Sequence, residues 1–217
     1  MIACSLTLAA CQTVSTPKPD QEAQWLSDKD HFKGQAGQLA LLGNWHLSAK
    51  VGVATPERKE TANLVWQFSD QANSVRLFGP LGVGAIRIEF DRSGVVLSDN
   101  KGVLHRGTNA EELLTKVVGW PIPVDALSHW LFAVPHPDLP YRFQLDDEGH
   151  VSALEQQGWS IEYSDYKDYG YSESNTSRVS VPSSPEKQKL PRKLIATKQL
   201  GDQEQVVVRL ITKSWKW

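Results

Sequence analysis

Apolar and polar residues alternate with period two in stretch after stretch of this chain, and no other feature constrains the fold as much. Trp45, Leu47, Ala49, Val51 and Val53 alternate with His46, Ser48, Lys50 and Gly52. Ala62, Leu64, Trp66 and Phe68 alternate with Asn63, Val65 and Gln67, and Ile86, Ile88 and Phe90 with Arg87 and Glu89. Tyr141, Phe143 and Leu145 repeat the pattern, as do Trp159, Ile161 and Tyr163. Two more strands are expected near Lys193–Gln199 and Gln205–Trp215. Successive side chains of an extended chain point to opposite faces, so each strand has one apolar and one polar face. Turn clusters such as Asp91-Arg92-Ser93-Gly94, Asp99-Asn100-Lys101-Gly102 and Asp146-Asp147-Glu148-Gly149 separate the strands. Short turns join antiparallel neighbours. The expectation is therefore an antiparallel sheet with one wet face and one covered face.

The cover has to come from helices. Thr108-Asn109-Ala110-Glu111 reads as a capping box, followed by a stripe of Leu113, Leu114, Val117 and Val118. Gly119-Trp120-Pro121 ends that helix. Pro123 opens a second, with Leu127, Trp130, Leu131 and Val134 at helical spacing and Pro135 at its close. A third helix is expected from about Asp20 to Phe32. The Ser-, Pro- and Glu-rich stretch from Tyr171 to Lys189 reads as a long loop.

The first residues read as an address. Met1 to Ala10 are small and apolar, and Leu8-Ala9-Ala10-Cys11 fits a bacterial lipobox, in which the signal is cut before a cysteine that carries lipid. A polar tether, Gln12 to Pro19, follows. No Lys or Arg precedes Cys11, which departs from the usual signal and leaves open an upstream start or a truncated region. A Cys4–Cys11 disulfide, or two incidental cysteines, is the competing reading. The division expected is a signal over 1–10, a lipidated Cys11 with its tether over 11–19, and one domain over 20–217. No apolar run reaches the ~20 residues that span a bilayer.

Several function classes find no support. Of 217 residues, 23 are Lys or Arg and 25 are Asp or Glu, for a net charge of −2. No basic excess exists to neutralise phosphates, which argues against nucleic-acid binding. The six histidines lack metal-ligand spacing, and neither a G-x-S-x-G elbow nor H-E-x-x-H occurs. Gly79-Pro80-Leu81-Gly82-Val83-Gly84 lacks the Lys-Ser/Thr of a phosphate loop. No catalytic residue, metal or cofactor is expected.

That glycine-rich turn is unusual in another way. Turn tips are normally polar, yet this one carries Leu81, pinned by Pro80. An exposed Leu81 would enter any apolar medium within reach, since full burial is favourable by ~1.5–3 kcal/mol. That suits transient insertion and is too little for an anchor. A turn folded back, with Leu81 in the core, fits the residues equally well.

Taken together, the lipobox, Trp66-Gln67, Gly79-Pro80-Leu81-Gly82 with Ile86-Arg87-Ile88-Glu89, Val96 to Gly102, Gly119-Trp120-Pro121-Ile122-Pro123, and Leu127, Trp130-Leu131 and Pro135 resemble the LolB family of outer-membrane lipoprotein receptors. The turn and the Gly119–Pro123 segment are the specific parts, and the likeness covers almost all of the chain after Cys11. The resemblance implies a mainly β fold: a single curved, incomplete antiparallel β-barrel with about three α-helices covering its concave face. It implies a monomer anchored through Cys11 at the periplasmic face of the outer membrane, with Gln12 pointing to that membrane. Its partners would be the periplasmic carrier LolA, the acyl chains of lipoprotein cargo and outer-membrane phospholipid. Leu81 would enter the membrane. The acyl-chain cavity would be lined by Trp66, Phe68, Ile86, Ile88, Phe90, Leu127, Trp130, Leu131, Phe143 and Ile161, each of which reads equally well as core. The alternative is an envelope lipoprotein that binds another apolar molecule or scaffolds a complex.

Overall fold

The computed structural model describes residues 24–28, 30–34, 43–69, 71–79, 84–91, 93–170 and 187–217. They form two meanders. The first runs β1 (Trp45–Ala54), β2 (Lys59–Phe68), β3 (Asn73–Phe78), β4 (Ile86–Asp91), β5 (Gly94–Ser98) and β6 (Leu104–Gly107). Two helices follow, α1 (Ala110–Val118) and α2 (Val124–Trp130). The second meander runs β7 (Tyr141–Leu145), β8 (Val151–Gln156), β9 (Trp159–Tyr169), β10 (Gln188–Gln199) and β11 (Gln205–Lys216). Antiparallel pairing of β1 with β11 joins the meanders into one eleven-stranded sheet, in the order β6-β5-β4-β3-β2-β1-β11-β10-β9-β8-β7. The sheet is open: β6 and β7 are its edges, as an incomplete barrel requires.

The alternation of the sequence becomes a register. Leu97 pairs with His105 on one side and Ile88 on the other; Ile88 pairs with Val75, Val75 with Trp66, Trp66 with Leu47, and Leu47 with Trp215. Across the second meander Ala196 faces Ile161, Ile161 faces Leu154, and Leu154 faces Phe143. Cross-strand partners share a face. The apolar faces of all the strands but β6 therefore fuse into one surface, and the helices cover it.

The helical segment links the two edges and packs on both halves. α1 lies against β5 and β6, while Trp130 of α2 reaches Trp159 of β9, ring centres 6.1 Å apart. On a flat sheet β5 and β9 would stand seven strand spacings apart, roughly 34 Å at ~4.8 Å each. Two short helices packed on each other bridge that distance only if the sheet bends around them. Beneath α2, Phe132 contacts both Trp45 and Trp215 at the seam, with ring centres 5.5 and 4.7 Å away.

One expected helix is corrected. From Gln24 to Phe32 the described residues are extended or turn, and Leu26 exchanges backbone hydrogen bonds of 2.8 and 2.9 Å with Phe143. Helical backbone is present only at Lys33 and Gly34 of the segment described. The edge strand β7 offers unpaired backbone groups, and pairing with them overrides the local helical pattern.

Candidate functional site: an apolar interior between sheet and helices

All ten residues expected to line an acyl cavity are described, and the fold brings them together. Trp66, Ile88, Phe143 and Ile161 project from β2, β4, β7 and β9 into one core with Leu127, Trp130 and Leu131, each nearly or wholly buried. Phe68, Ile86 and Phe90 are half-buried and pack against that core. Cys11 and Leu81 lie outside the described residues, so the structure neither places the lipid site nor decides how the turn points.

Polar pins hold the helices onto the sheet, and sequence reasoning missed most of them. The cap of α1 is Asn109, one residue later than the expected Thr108: its Oδ1 accepts the Glu112 N–H at 3.0 Å. Gly119 ends α1 in the left-handed region, φ 77°, and its N–H reaches the Leu114 and Thr115 carbonyls. The next residue, Trp120, donates its indole N–H to Glu60 of β2 at 2.9 Å, and Arg58 stands 3.4 Å from the same carboxylate.

The second pin is Gln156 of β8, almost fully buried at 2% exposure. Its Oε1 accepts from the Trp130 indole at 2.9 Å and the His136 backbone N–H at 2.8 Å. Its Nε2 donates to the carbonyls of His136 and Leu139 at 2.9 and 3.1 Å. One carboxamide thus satisfies four groups of α2 and the turn after it. Nearby, Nε2 of His136 lies 3.1 Å from an Asp125 carboxylate oxygen, and the His129 and His136 rings are 4.8 Å apart. Burial pushes His129 below its ordinary value, with His136 adding to the effect and the Asp125 carbonyl opposing it.

The sheet's own interior tryptophans contrast with those of the helices. The indole nitrogens of Trp66 and Trp215 are buried without a hydrogen-bond partner among the described residues, as is the Tyr163 hydroxyl. These two indoles flank β1 around Leu47 and touch Trp45, at 5.6 and 5.4 Å between centres. The interior is thus aromatic and nearly free of polar partners. Among the described residues no cluster of His, Cys, Asp and Glu is arranged to hold a metal ion.

Cavities open at the margins of this core. One, about 760 Å³, lies at the β2–β3 and β4–β5 turns and takes in Phe68, Asn73, Phe90 and Val95 with polar residues such as Glu89 and Arg106. A second, about 350 Å³, separates the starts of α1 and α2 and includes Phe90, Val95, Ala126 and Leu139. A third, about 300 Å³, lies between the end of α1 and β2–β4, with Leu77, Ile86, Val117, Trp120 and both feet of the Leu81 turn, Gly79 and Gly84. Ile86, Phe68 and Phe90 line these openings. The other seven expected lining residues are packed behind them, in a core whose helical cover is shut.

The family description "Outer membrane lipoprotein LolB" matches residues 43–215. The chain belongs to the LolB family. The matched span begins just before β1 and ends within β11, so the LolB unit coincides with the sheet and its helical cover. The outer-membrane lipoprotein LolB of Cellvibrio japonicus is 31% identical over 183 residues, covering 84% of this chain and 83% of its own. That of Pseudomonas fluorescens is 35% identical over 144 residues, covering 66% and 67%. In fold alone, a DUF1329 family protein from Desulfovibrio piger is similar, with a TM-score of 0.50 at 5% identity over 88% of this chain and 93% of its own.

Proposed function

We propose that this LolB-family protein is an outer-membrane receptor, anchored through lipid on Cys11 at the periplasmic face. It accepts lipoproteins from the carrier LolA and inserts them into the inner leaflet of the outer membrane. The observation that carries the reading is the continuous apolar face beneath two short helices pinned by a few polar groups. Acyl chains enter when those pins release and the helices lift from the sheet. The chains then lie along Trp66, Ile88, Phe143 and Ile161, with Leu127, Trp130 and Leu131 above them.

No covalent step is involved. Each methylene removed from water contributes ~0.8 kcal/mol. Directional transfer needs only a difference in affinity, ~1.4 kcal/mol for each factor of ten. A wider or more complementary apolar contact here than in the carrier supplies it. Leu81 then disturbs the leaflet and eases release into the bilayer.

The test is transfer of a lipoprotein from loaded carrier into liposomes by the non-lipidated protein (Cys11→Ala), with and without Leu81→Glu. The expected outcome is delivery by the first protein. The Leu81→Glu variant should take cargo from the carrier and release little of it to the bilayer. If the Cys11→Ala protein takes no cargo, the receptor reading fails. If both deliver equally, Leu81 is only a turn residue.

A further inference from the structure

The outer face of β3–β6 carries a second feature, apart from the acyl interior. Arg76 of β3 and Arg87 of β4 stand directly opposite each other in the register. The same row continues through Ser98 of β5 to Leu104 of β6. Like charges directly opposite on a sheet are destabilising, and both arginines are exposed. Glu89 offers Arg87 partial relief at 3.8 Å. Arg76 has no carboxylate partner among the described residues; its guanidinium lies over the Phe78 ring at 5.2 Å. Arg76, Arg87, Ser98 and Leu104 line a shallow depression of about 310 Å³ with Ala85, Glu89 and Val96.

Beside this depression two large apolar side chains face water. Val103 is 52% exposed and Leu104 53%. They are not on a loose loop. Oδ1 of Asp99 accepts the N–H groups of Lys101 and Val103, each at 2.9 Å, and Oδ2 lies 3.2 Å from Nε2 of His105. Gly102 closes the turn with φ 80°. The other edge of the sheet is covered, since Leu26 pairs with β7. Among the described residues nothing pairs with the free side of β6, and a rigid apolar edge next to an arginine pair with one weak carboxylate partner marks a contact surface. Ala85 lines the depression and directly follows Gly84, the second foot of the Leu81 turn, so the chain returning from that turn joins the sheet at this same corner.

We propose that this corner is a bilayer-docking surface. Arg76 and Arg87 together bind a lipid phosphate, and Val103 and Leu104 rest in the interfacial zone beside it. Two guanidiniums suit a phosphate's several acceptor oxygens, and bidentate pairing adds orientation. The bound anion relieves the repulsion between them. The occupant is a phospholipid membrane because anion-binding and apolar groups lie side by side, a combination that a free phosphate ion cannot use. The purpose of docking rests on the receptor reading: it would orient the protein with its Leu81 turn toward the leaflet. The test itself involves neither carrier nor cargo, so the two readings can fail separately.

The experiment measures partition of the full chain, made non-lipidated by Cys11→Ala, onto vesicles of phosphatidylethanolamine and phosphatidylglycerol. It compares that protein with the Arg76→Gln/Arg87→Gln and Val103→Ser/Leu104→Ser double variants. A Lys50→Gln/Lys193→Gln variant, on the outer face of β1 and β10 either side of β11 near the seam, controls for charge alone. At low salt each cation near an anionic surface contributes ~1 kcal/mol, so losing both arginines should weaken partition by roughly tenfold to thirtyfold. The seam variant should lose far less, and galactolipid vesicles, which lack phosphate, should bind all arginine forms equally weakly. Matching thermal melts show that the variants fold. Undiminished binding by the arginine variant overturns the proposal, and so does an equal loss in the seam variant. Inorganic phosphate binding as tightly as the vesicles do, with no effect from Val103→Ser/Leu104→Ser, reassigns the pair as a free-anion site.

Discussion

Gln156 shows how much of the helical cover depends on single side chains. Replacing it with Met keeps the volume and removes every hydrogen bond. The Trp130 indole, the His136 N–H and two carbonyls then lose their partner inside the protein. A buried polar group left unpaired costs about 1–3 kcal/mol. The turn can relax toward water, so we expect Gln156→Met to destabilise by about 2–4 kcal/mol in chemical denaturation. A loss near zero would mean that α2 is held by packing alone. His129 gives a second expectation at this scale. An unfolded histidine binds its proton near 6.5, and burial puts the folded value lower. Between the two, the unfolded chain carries more protons, so stability falls as pH drops. The contribution of His129 is complete above about pH 6.5 and is lost as pH falls toward the folded value. The thermal midpoint should drop more between pH 7 and pH 5 in the parent protein than in His129→Gln.

At the scale of elements, strict alternation was the signal that could be read. β1, β2, β4, β7 and β9 follow their expected patterns because each has one face in the core and one in water. β5, β6 and β8 were not singled out, and the reasons are physical. β5 is a short run, Val95-Val96-Leu97, too apolar on both sides to alternate. β6 is the exposed edge, where Leu104 faces out and His105 and Gly107 are only half-buried. β8 carries the polar Gln156 on its inner face, so its buried set does not read as apolar. Of the helix expected over Asp20–Phe32, residues 20–23 and 29 lie outside the described residues; the described remainder is not helical, because a tertiary contact overrides it. Leu26 pairs with β7, Trp25 lies under the Arg142 guanidinium at 4.5 Å, and Phe32 meets Phe143 at 4.8 Å between ring centres. The cap of α1 shifted by one residue because Asn109 competes well with Thr108 for that role. Asn109→Ala should therefore cost about 1 kcal/mol in thermal or chemical unfolding. Thr108→Ala should cost little, since the Thr108 side chain makes no capping bond. The reverse order would restore the Thr108 cap.

At the scale of the whole molecule, ten of the eleven strands share one apolar face and make a shell that cannot be satisfied by its own sheet. The helices close it, and among the described residues polar pins at Glu60 and Gln156 help to hold them there. Seven of the ten inward residues were legible as a set because register turns alternation into a surface, and Leu127, Trp130 and Leu131 were legible from helical spacing. What alternation alone could not tell is whether that surface is core or chamber. In this structure it is packed, and the proposed function requires it to open. The charge distribution was also hidden: a net charge of −2 says nothing of an arginine pair on one corner. Cross-strand register, which places Arg76 against Arg87, is a property of the fold.

The central claim is that cargo acyl chains lie against the inner face of this sheet under the helices. The direct test uses a lipoprotein whose acyl chains carry a photoreactive diazirine, loaded from the carrier, irradiated and mapped by mass spectrometry. The account expects adducts on inward positions of both meanders and on the cover, among them Trp66, Ile88, Phe143, Ile161 and Leu127. Adducts confined to outward residues such as Lys50 and Arg209, or none on a protein shown to hold cargo, would contradict it.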